Sequence, residues 1–144
     1  MKFISSSFDF DTGISEVVVQ HLGKKFIGTA KLHPDDKDKV SNYTGCQIAE
    51  MRATIKALKY ERKIAKNKSD MALDFIKSVE NYTKFNKEDE SAKSMYRQLN
   101  RRIKEVNDIT DQINELYYEI DMLPRKKSVI LNSILTKKKS KQDN

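Results

Sequence analysis

Only one cysteine, Cys46, occurs among the 144 residues of the sequence. A single thiol excludes a disulfide within the chain, and it also excludes a zinc site built from several cysteines of one chain. We interpret Cys46 as a small buried apolar residue, because free cysteines are often buried. A free thiol is typical of a reducing compartment, so it agrees with a cytoplasmic protein.

The sequence also lacks long hydrophobic runs. Its apolar stretches are only a few residues long, whereas a helix that spans a bilayer needs about 18 apolar residues or more. Residues 1–10 carry three serines and one acid, Asp9, where a signal peptide would need an unbroken apolar segment. We therefore expect a cytoplasmic protein with no membrane partner.

Glycine and histidine are scarce as well, which limits the chemistry available. The four glycines are scattered, so the sequence has no glycine-rich phosphate loop. His21 and His33 lie on neighbouring predicted strands or at their ends, and a metal site there would need Asp35 or Asp36 as a further ligand. We interpret these residues as ordinary strand and turn residues. No serine or cysteine nucleophile has a recognisable setting, so we predict a protein that is not an enzyme and has no catalytic residues, metal or cofactor.

The net charge of +7 is concentrated at the C-terminal end of the sequence. Residues 1–45 are neutral and residues 46–124 have a net charge of +1, whereas residues 125–144 have a net charge of +6. We expect residues 137–144 to form a disordered, lysine-rich tail. Such a tail either binds a polyanion through counterion release or is a solvated chain end, and nucleic acid is an expected partner only through it.

Residues 1–33 have the pattern of a small antiparallel sheet. Phe8 and Phe10 alternate with acids, and a run of three valines favours a strand. Gly28 indicates a bulge or a close backbone approach. Because an isolated hairpin is marginally stable, we expect this β head to pack on helices. The first predicted strand contains Phe8 and Phe10, the other two lie at 14–22 and 26–33, and the turns lie at 11–13 and 23–25.

Residues 46–123 have the pattern of a long antiparallel helical hairpin. Thr44 is the predicted cap of its first helix, 46–84, and the polar residues 67–70 leave the continuity of that helix open. The apolar residues of this helix recur at spacings near three and four, as Ile48, Met51, Ile55, Leu58, Ile64, Met71, Phe75 and Val79. The second helix, 88–123, has the stricter alternation of a coiled-coil-like seam, formed by Leu99, Arg102, Val106, Ile109, Ile113, Leu116, Ile120 and Leu123.

Pro124 predicts the end of this second helix, because proline lacks the amide hydrogen and disfavours a helical residue before it. Residues 125–136 then form a short amphipathic C-terminal helix. The predicted fold class is α+β, with a β head, a helical hairpin and the short helix in a single domain over residues 1–136. Elongated helical bodies often complete their core with a second copy, so we expect a homodimer or a higher oligomer.

Arginines mark the candidate binding residues. Arg97 and Arg101 are four residues apart and point the same way on a helix, while Arg102 falls on the apolar seam. Arg52 has a similar position beside an apolar face. Arginine forks that bind phosphate, with a nearby aromatic ring such as Phe85 for a base, are what a nucleotide pocket requires. The alternative is that these arginines form surface ion pairs, and the acids available for them are Glu88, Glu90 and Glu105.

One segment carries a resemblance. Residues 28–36 read as a strand that enters a Pro-x-Asp turn, and residues 45–53 then open a helix as Gly-x3-Ala-x2-Arg-Ala. This arrangement, over residues 26–60, is similar to small phage and prophage proteins of Gram-positive bacteria, and it resembles the Thoeris anti-defence sponge family. The long first helix and the lysine-rich tail depart from compact members of that family.

The resemblance implies a phage-encoded protein of the host cytoplasm that forms oligomers. Such a protein sequesters a cyclic ADP-ribose-type or cyclic oligonucleotide signal without cleaving it. Arg52 is the position that the motif itself carries over. Phe85, Arg97 and Arg101 would supply the aromatic and arginine contacts of the family pocket, although no motif fixes them.

Two further hypotheses remain open. In one, the chain is a phage inhibitor or assembly protein that binds a host protein, such as a defence nuclease, through its helical hairpin. In the other, it is a structural coiled-coil protein without a ligand.

Overall fold

The computed structural model of the protein describes residues 1–31, 42–82 and 88–135. Three strands come first along the chain and two long helices follow, which confirms the α+β class. The elements are β1 (Lys2–Asp9), β2 (Ile14–His21), β3 (Lys24–Lys31), α1 (Asn42–Tyr82) and α2 (Glu90–Leu135).

The sheet is an antiparallel meander with β2 in the centre and β1 and β3 at its two edges. Leu22 and Gly23 alone connect β2 to β3, and both have positive φ angles, of 52° and 78°. A two-residue turn of this kind matches the right-handed twist of the strands that it joins. The predicted turn at 23–25 is therefore present, one residue earlier than expected.

The first strand is present, but Phe10, which the alternating pattern assigned to it, lies outside it. The strand begins at Lys2 and ends at Asp9, so that Phe10 lies in the turn that follows. The Asp9 carboxylate accepts hydrogen bonds from the amides of Asp11 at 2.8 Å and Thr12 at 3.4 Å, and the Gly13 amide donates to the Asp9 carbonyl at 2.8 Å. This turn centred on an Asp side chain ends the strand, although the alternation of aromatic residues continues past it.

The chain divides into two compact units, and the predicted single domain over residues 1–136 stays a prediction. Of the described residues, unit 1 comprises 1–31, 42–57 and 114–135, and unit 2 comprises 58–82 and 88–113. In unit 1, one face of the sheet packs on a stripe of alanines that recur every four residues along α1. This core consists of Val17, Val19 and Ala30 from the sheet and Ala49, Ala53 and Ala57 from the helix.

Gly28 is what allows α1 to lie this close to β3. A Cβ atom at residue 28 would overlap the carbonyl oxygen of Ala49 and the backbone nitrogen of Ala53. Because the obstructing atoms belong to the helix backbone, no rotamer change would make room for it. Of the two roles predicted for Gly28, the close backbone approach is confirmed. The irregularity in pairing lies instead in β1, between Phe3 and Ser5.

Both helices are longer than the sequence pattern indicates. α1 begins at Asn42, so Thr44 lies within the helix and does not cap it, and α1 continues through residues 67–70 without a break. α2 continues through Pro124 to Leu135, so residues 125–135 extend α2 and do not form a separate helix. A proline removes one backbone donor at a cost of about 3 kcal/mol, which a long helix can bear when its other turns are intact. The predicted tail, 137–144, lies outside the described residues.

Unit 2 is a helical hairpin. Arg62 Nη1 donates to Thr110 Oγ1 at 3.4 Å, and Tyr96 Oη donates to Glu80 at 2.7 Å, so the two helical segments run antiparallel. Its buried apolar residues come from both segments, as Leu58, Ala65, Ile76, Ala92, Leu99, Ile109 and Ile113. The predicted seam of α2 is confirmed at Leu99, Ile109 and Ile113.

Candidate binding surfaces

The outer edge of β3 is covered by two basic side chains of α1. Arg52 Nη1 donates to the Thr29 carbonyl at 2.8 Å, and Lys56 Nζ donates to the Ile27 carbonyl at 2.7 Å. The two cations are four residues apart, so they lie on one face of the helix. The two carbonyls are two residues apart, so they lie on one edge of the strand. Arg52, the one residue that the resemblance carries over, is thus engaged with the sheet, and its role towards a ligand stays a prediction.

The register of the sheet explains why these carbonyls are available. Residues on either side of a two-residue turn form a hydrogen-bonded pair, and such pairs alternate along an antiparallel ladder. Counting from His21 and Lys24, the residues of β3 that direct their backbone groups away from β2 include Ile27 and Thr29. The side chains of α1 therefore satisfy the acceptors that a second strand would otherwise bind.

The outer edge of β1 has a different surface. Seven of its eight residues are exposed, and the eighth, Phe8, is half-buried. Phe3 remains 53 % exposed although it lies opposite the buried Val19. The ring of Phe10 makes an edge-to-face contact with Phe8, with 4.8 Å between the ring centroids.

The arginines of α2 lie at the surface of unit 2. Arg97 donates to the Lys93 carbonyl at 3.3 Å and approaches the Glu90 carboxylate at 3.6 Å. The side chains of Arg97 and Glu90 are 65 % and 85 % exposed, so this ion pair is well solvated and contributes little to stability. Glu90 is one of the acids that the surface ion-pair interpretation named.

Arg101 and Arg102 are exposed, and neither forms an ion pair or a side-chain hydrogen bond within the described part of the chain. The prediction that Arg102 lies in the apolar seam was wrong. Its side chain is exposed, whereas Leu99 before it is buried and Val106 after it is half-buried. Arg97 and Arg101 lie one turn apart on α2, whereas Arg52 belongs to unit 1. Phe85 lies outside the described residues.

Tyr96 connects the two segments of unit 2. Its hydroxyl donates to Glu80 at 2.7 Å, and this bond to a carboxylate raises the pKa of Tyr96 above its ordinary value, with a smaller contribution from desolvation. The bond persists as long as the hydroxyl is protonated. The sequence places Tyr96 near the arginines, but its polar end is engaged with α1.

Two large apolar residues of α1 that the sequence pattern assigned to the helix interface are exposed instead. Met71 is 70 % exposed and Phe75 is 60 % exposed. The buried positions of this segment, Ala65 and Ile76, belong to a neighbouring stripe that also contains the half-buried Ser69 and Ala72. Spacing alone does not distinguish the two stripes, because both repeat every three to four residues. The presence of alanine and serine in the second stripe was the available signal, since small residues allow two helices to approach closely.

The described residues contain no group of three or more His, Cys, Asp or Glu side chains suited to a metal ion. No helix within the same residues is both long enough and apolar enough to cross a membrane.

Comparison of the chain with family models, with curated proteins and with solved structures gave no match.

Proposed function

We propose that this chain is a binding protein without catalytic activity, and that it acts by docking a face of α1 in unit 2 on another protein. The observation that carries the proposal is the exposure of Met71 and Phe75, one turn apart on that helix. The partner class that agrees with the resemblance described above is a host defence protein, such as a nuclease, bound by a phage-encoded inhibitor.

The arrangement of this pair supports protein recognition. Single exposed apolar residues are common and need no explanation, whereas adjacent ones on one face mark an interaction site. Residues at i and i+4 share a helix face, and helices that dock in a groove use anchors at this spacing. Lys68 and Ser78, which come one turn before and one turn after the pair, are exposed and polar. Met71 and Phe75 are therefore a compact apolar centre with a polar rim, as interfaces commonly have.

The test compares two variants of the full chain. Met71→Gln with Phe75→Gln removes the apolar centre while it keeps residues that favour helix. Lys66→Gln with Lys77→Gln is the matched control, because it changes two exposed residues of the same helix outside that centre. Proteins captured from a host lysate by the unmodified chain are purified, and their affinity for each variant is measured by calorimetry.

We expect the first variant to bind about tenfold more weakly or worse, because removal of one anchor at the centre of an interface typically costs more than about 1 kcal/mol. The control variant should bind within about twofold of the unmodified chain, since rim charges contribute little to affinity. Circular dichroism verifies that both variants are folded. Equal affinity of the two variants would contradict the proposal.

A second candidate function is the sequestration of a cyclic nucleotide signal without cleavage. It is favoured by the exposed guanidinium groups of Arg101 and Arg102, which have no side-chain partner within the described residues, and by the weak pairing of Arg97. Guanidinium groups that are free of protein acids are available to bind phosphate in a forked geometry. An aromatic residue that stacks on the base would complete such a pocket, and Phe85 is the residue proposed for it.

Thermal shift assays with cyclic ADP-ribose isomers and cyclic dinucleotides test this second function. A sponge should melt at a higher temperature with its ligand and should release it intact on heating. The change of Arg97, Arg101 and Arg102 to glutamine should abolish the shift. The same change at three exposed lysines of α1, Lys63, Lys66 and Lys68, should leave it. No shift with any of these ligands would contradict nucleotide sequestration and would leave protein binding as the surviving function.

A further inference from the structure

We propose that β1 is a self-association edge, where two copies of the chain join their sheets into one of six strands. The two β1 strands would run antiparallel about a two-fold axis at Ser6. This inference does not depend on the proposed function, because it concerns the sheet of unit 1 and not the helical hairpin of unit 2.

The two edges of the sheet differ in how their outward backbone groups are covered. An exposed strand edge presents unpaired N–H and C=O groups, and proteins commonly block such edges with charged side chains. Arg52 and Lys56 do this at β3, where they bind two outward carbonyls. β1 has eight residues, of which seven are exposed, and it presents a long edge that an equal strand can pair with.

The outward backbone groups of β1 match those of a second β1. Val17 and Val19 of β2 bond to β3, so their partners on β1, Ser6 and Phe3, direct their backbone groups outward. Phe8, opposite Ser15, does the same. Ser6 of one copy opposite Ser6 of the other would thus form a hydrogen-bonded pair at the axis.

The irregularity in β1 brings the outer residues of the new ladder into register. The pairing with β2 skips Ile4, because Phe3 faces Val19 and Ser5 faces Val18. The axis at Ser6 by itself places Ser5 opposite Ser7 of the second copy. The same skip at Ile4 then places Phe3 opposite Phe8 of the second copy, so that two residues with outward backbone groups meet and form a hydrogen-bonded pair.

This register also keeps each pair on one face of the sheet, as an antiparallel ladder requires. Phe3, Ser6 and Phe8 lie opposite Val19, Val17 and Ser15, all three of which are buried on the face that α1 covers. Ser5 and Ser7 lie on the other face. Without the skip at Ile4, Phe3 would meet a residue of the opposite face, so the irregularity is what makes the strand self-complementary.

The side chains that would be paired across the axis are also complementary. Lys2 lies opposite Asp9 of the second copy, which places opposite charges at both ends of the new ladder. The Asp9 bonds to the turn amides use one carboxylate oxygen, Oδ1, and so leave the other oxygen for the lysine. Phe3 meets Phe8, whose ring already contacts Phe10, so an aromatic cluster would form at each end. Cross-strand pairs of both kinds stabilise a ladder.

Self-complementarity is the reason to assign this edge to a second copy and not to a foreign strand. The residues on the two sides of the axis satisfy one another in backbone direction, face, charge and aromatic contact. A foreign strand would need the same four properties in the same order, whereas a second copy has them by identity.

Cysteine mapping tests the register directly, in a chain that carries Cys46→Ser. Ser6→Cys should form a disulfide-linked dimer under mild oxidation, because directly opposed residues have Cα atoms about 5.5 Å apart, within the range of a disulfide. Ser5→Cys and Ser7→Cys are matched controls. Each replaces an exposed serine next to Ser6, and neither position lies opposite itself across the axis. Neither should cross-link alone, but a mixture of the two should cross-link with each other.

Cross-linking of Ser6→Cys no faster than that of Ser7→Cys alone would overturn the register. A mixture of the Ser5→Cys and Ser7→Cys chains that cross-links no faster than either chain alone would also overturn it.

Light scattering tests the association itself in the unmodified chain. Its mass should rise from monomer to dimer with concentration. Ser6→Pro removes an outward amide without a bond to β2, so it should leave the monomer folded and abolish the dimer, whereas Ser6→Ala should retain the dimer. If Ser6→Pro fails to fold, Lys2→Glu replaces it and should weaken the dimer about tenfold by repulsion from Asp9 of the second copy. A monomeric mass at every concentration would overturn the proposal.

Discussion

The two edges of the sheet carry the same kind of backbone groups, but one edge is covered by basic side chains and the other is exposed. At β3, Arg52 and Lys56 reach from α1 and bind the carbonyls of Thr29 and Ile27 at 2.8 and 2.7 Å. At β1, the strand is exposed over almost its whole length, and α1 packs on residues of β2 and β3 instead. Coverage by the helix thus decides which edge is closed.

This contrast shows that basic residues near a sheet can bind a strand edge of their own chain. Arg52 stands on the motif that carries the resemblance, yet in the structure it binds a strand of its own chain. A strand edge offers carbonyl oxygens at a regular spacing, and two cations one helical turn apart match that spacing. Within the described residues of unit 1, the sheet edge without such cations is β1.

The largest expected effect is the loss of the contact that closes the β3 edge. Gly28→Val should destabilise the fold by about 3 kcal/mol or more, because its side chain would overlap the backbone of α1 at Ala49 and Ala53. Chemical denaturation measures the change. Gly23→Ala is the control, since nothing lies within 4 Å of a Cβ there and only the positive φ opposes the substitution. Its cost should be about 1 kcal/mol. Equal costs at the two positions would contradict the close packing.

The next largest effect is expected on self-association, when a charged residue is placed on the open edge of β1. Ser6→Lys should weaken self-association about tenfold or more, because two lysines would be directly opposed at the axis, as like charges that destabilise a strand pair. The free energy of unfolding of the monomer should change little, since Ser6 is exposed. Sedimentation equilibrium measures the dissociation constant. Asn100→Lys, an exposed change in unit 2 with the same charge difference, should leave that constant unchanged.

A smaller effect is expected when the two basic side chains that cover the edge of β3 are removed. Arg52→Ala with Lys56→Ala should cost about 1 kcal/mol for the two exposed hydrogen bonds. It should also cause a new association through β3, because its carbonyls become free. Light scattering at rising concentration detects this. Lys63→Ala with Lys66→Ala removes the same charge from exposed positions of α1 and should not associate. If both variants stay equally soluble, Arg52 and Lys56 do not protect the edge.

The smallest effect concerns the turn that sets the register of β3. Leu22 has a φ of 52°, which is unfavourable for a leucine and favourable for asparagine. Leu22→Asn should raise the free energy of unfolding by about 1 kcal/mol, because an Asn-Gly pair is the preferred sequence for such a turn. A thermal melt measures the gain. A decrease in stability would show that the exposed Leu22 side chain makes a contact of greater value than the relief of backbone strain.

The α+β class, the turns and the antiparallel helices could be predicted from the sequence, because period-two and period-three-to-four patterns report which face of an element is buried. The same signal explains the correct prediction of the seam at Leu99, Ile109 and Ile113. It failed at β1, where the serines 5–7 have neither a strong strand preference nor an apolar alternation. It also failed at Met71 and Phe75, where a stripe of smaller residues forms the interface.

The candidate surfaces were less accessible to sequence reasoning. The position of Arg52 beside a strand depends on Gly28, which lets the helix approach, and a pattern along one element does not report distances to another. Gly28 was the available signal, since a glycine in the interior of a strand indicates a close backbone approach. The exposure of Arg102 likewise depends on the rotation of α2 about its own axis. The heptad pattern does not report that rotation and assigned Arg102 to the seam.

Residue-resolved amide hydrogen exchange at two protein concentrations tests the contrast between the edges most directly. If β1 is the association edge, the amides of Phe3, Ser6 and Phe8 gain protection as the concentration rises. Those of Ile27 and Thr29 on β3 remain unchanged. Equally fast exchange of Phe3, Ser6 and Phe8 at both concentrations, or protection that rises at β3 instead, would contradict the assignment of β1 as the edge where two copies meet.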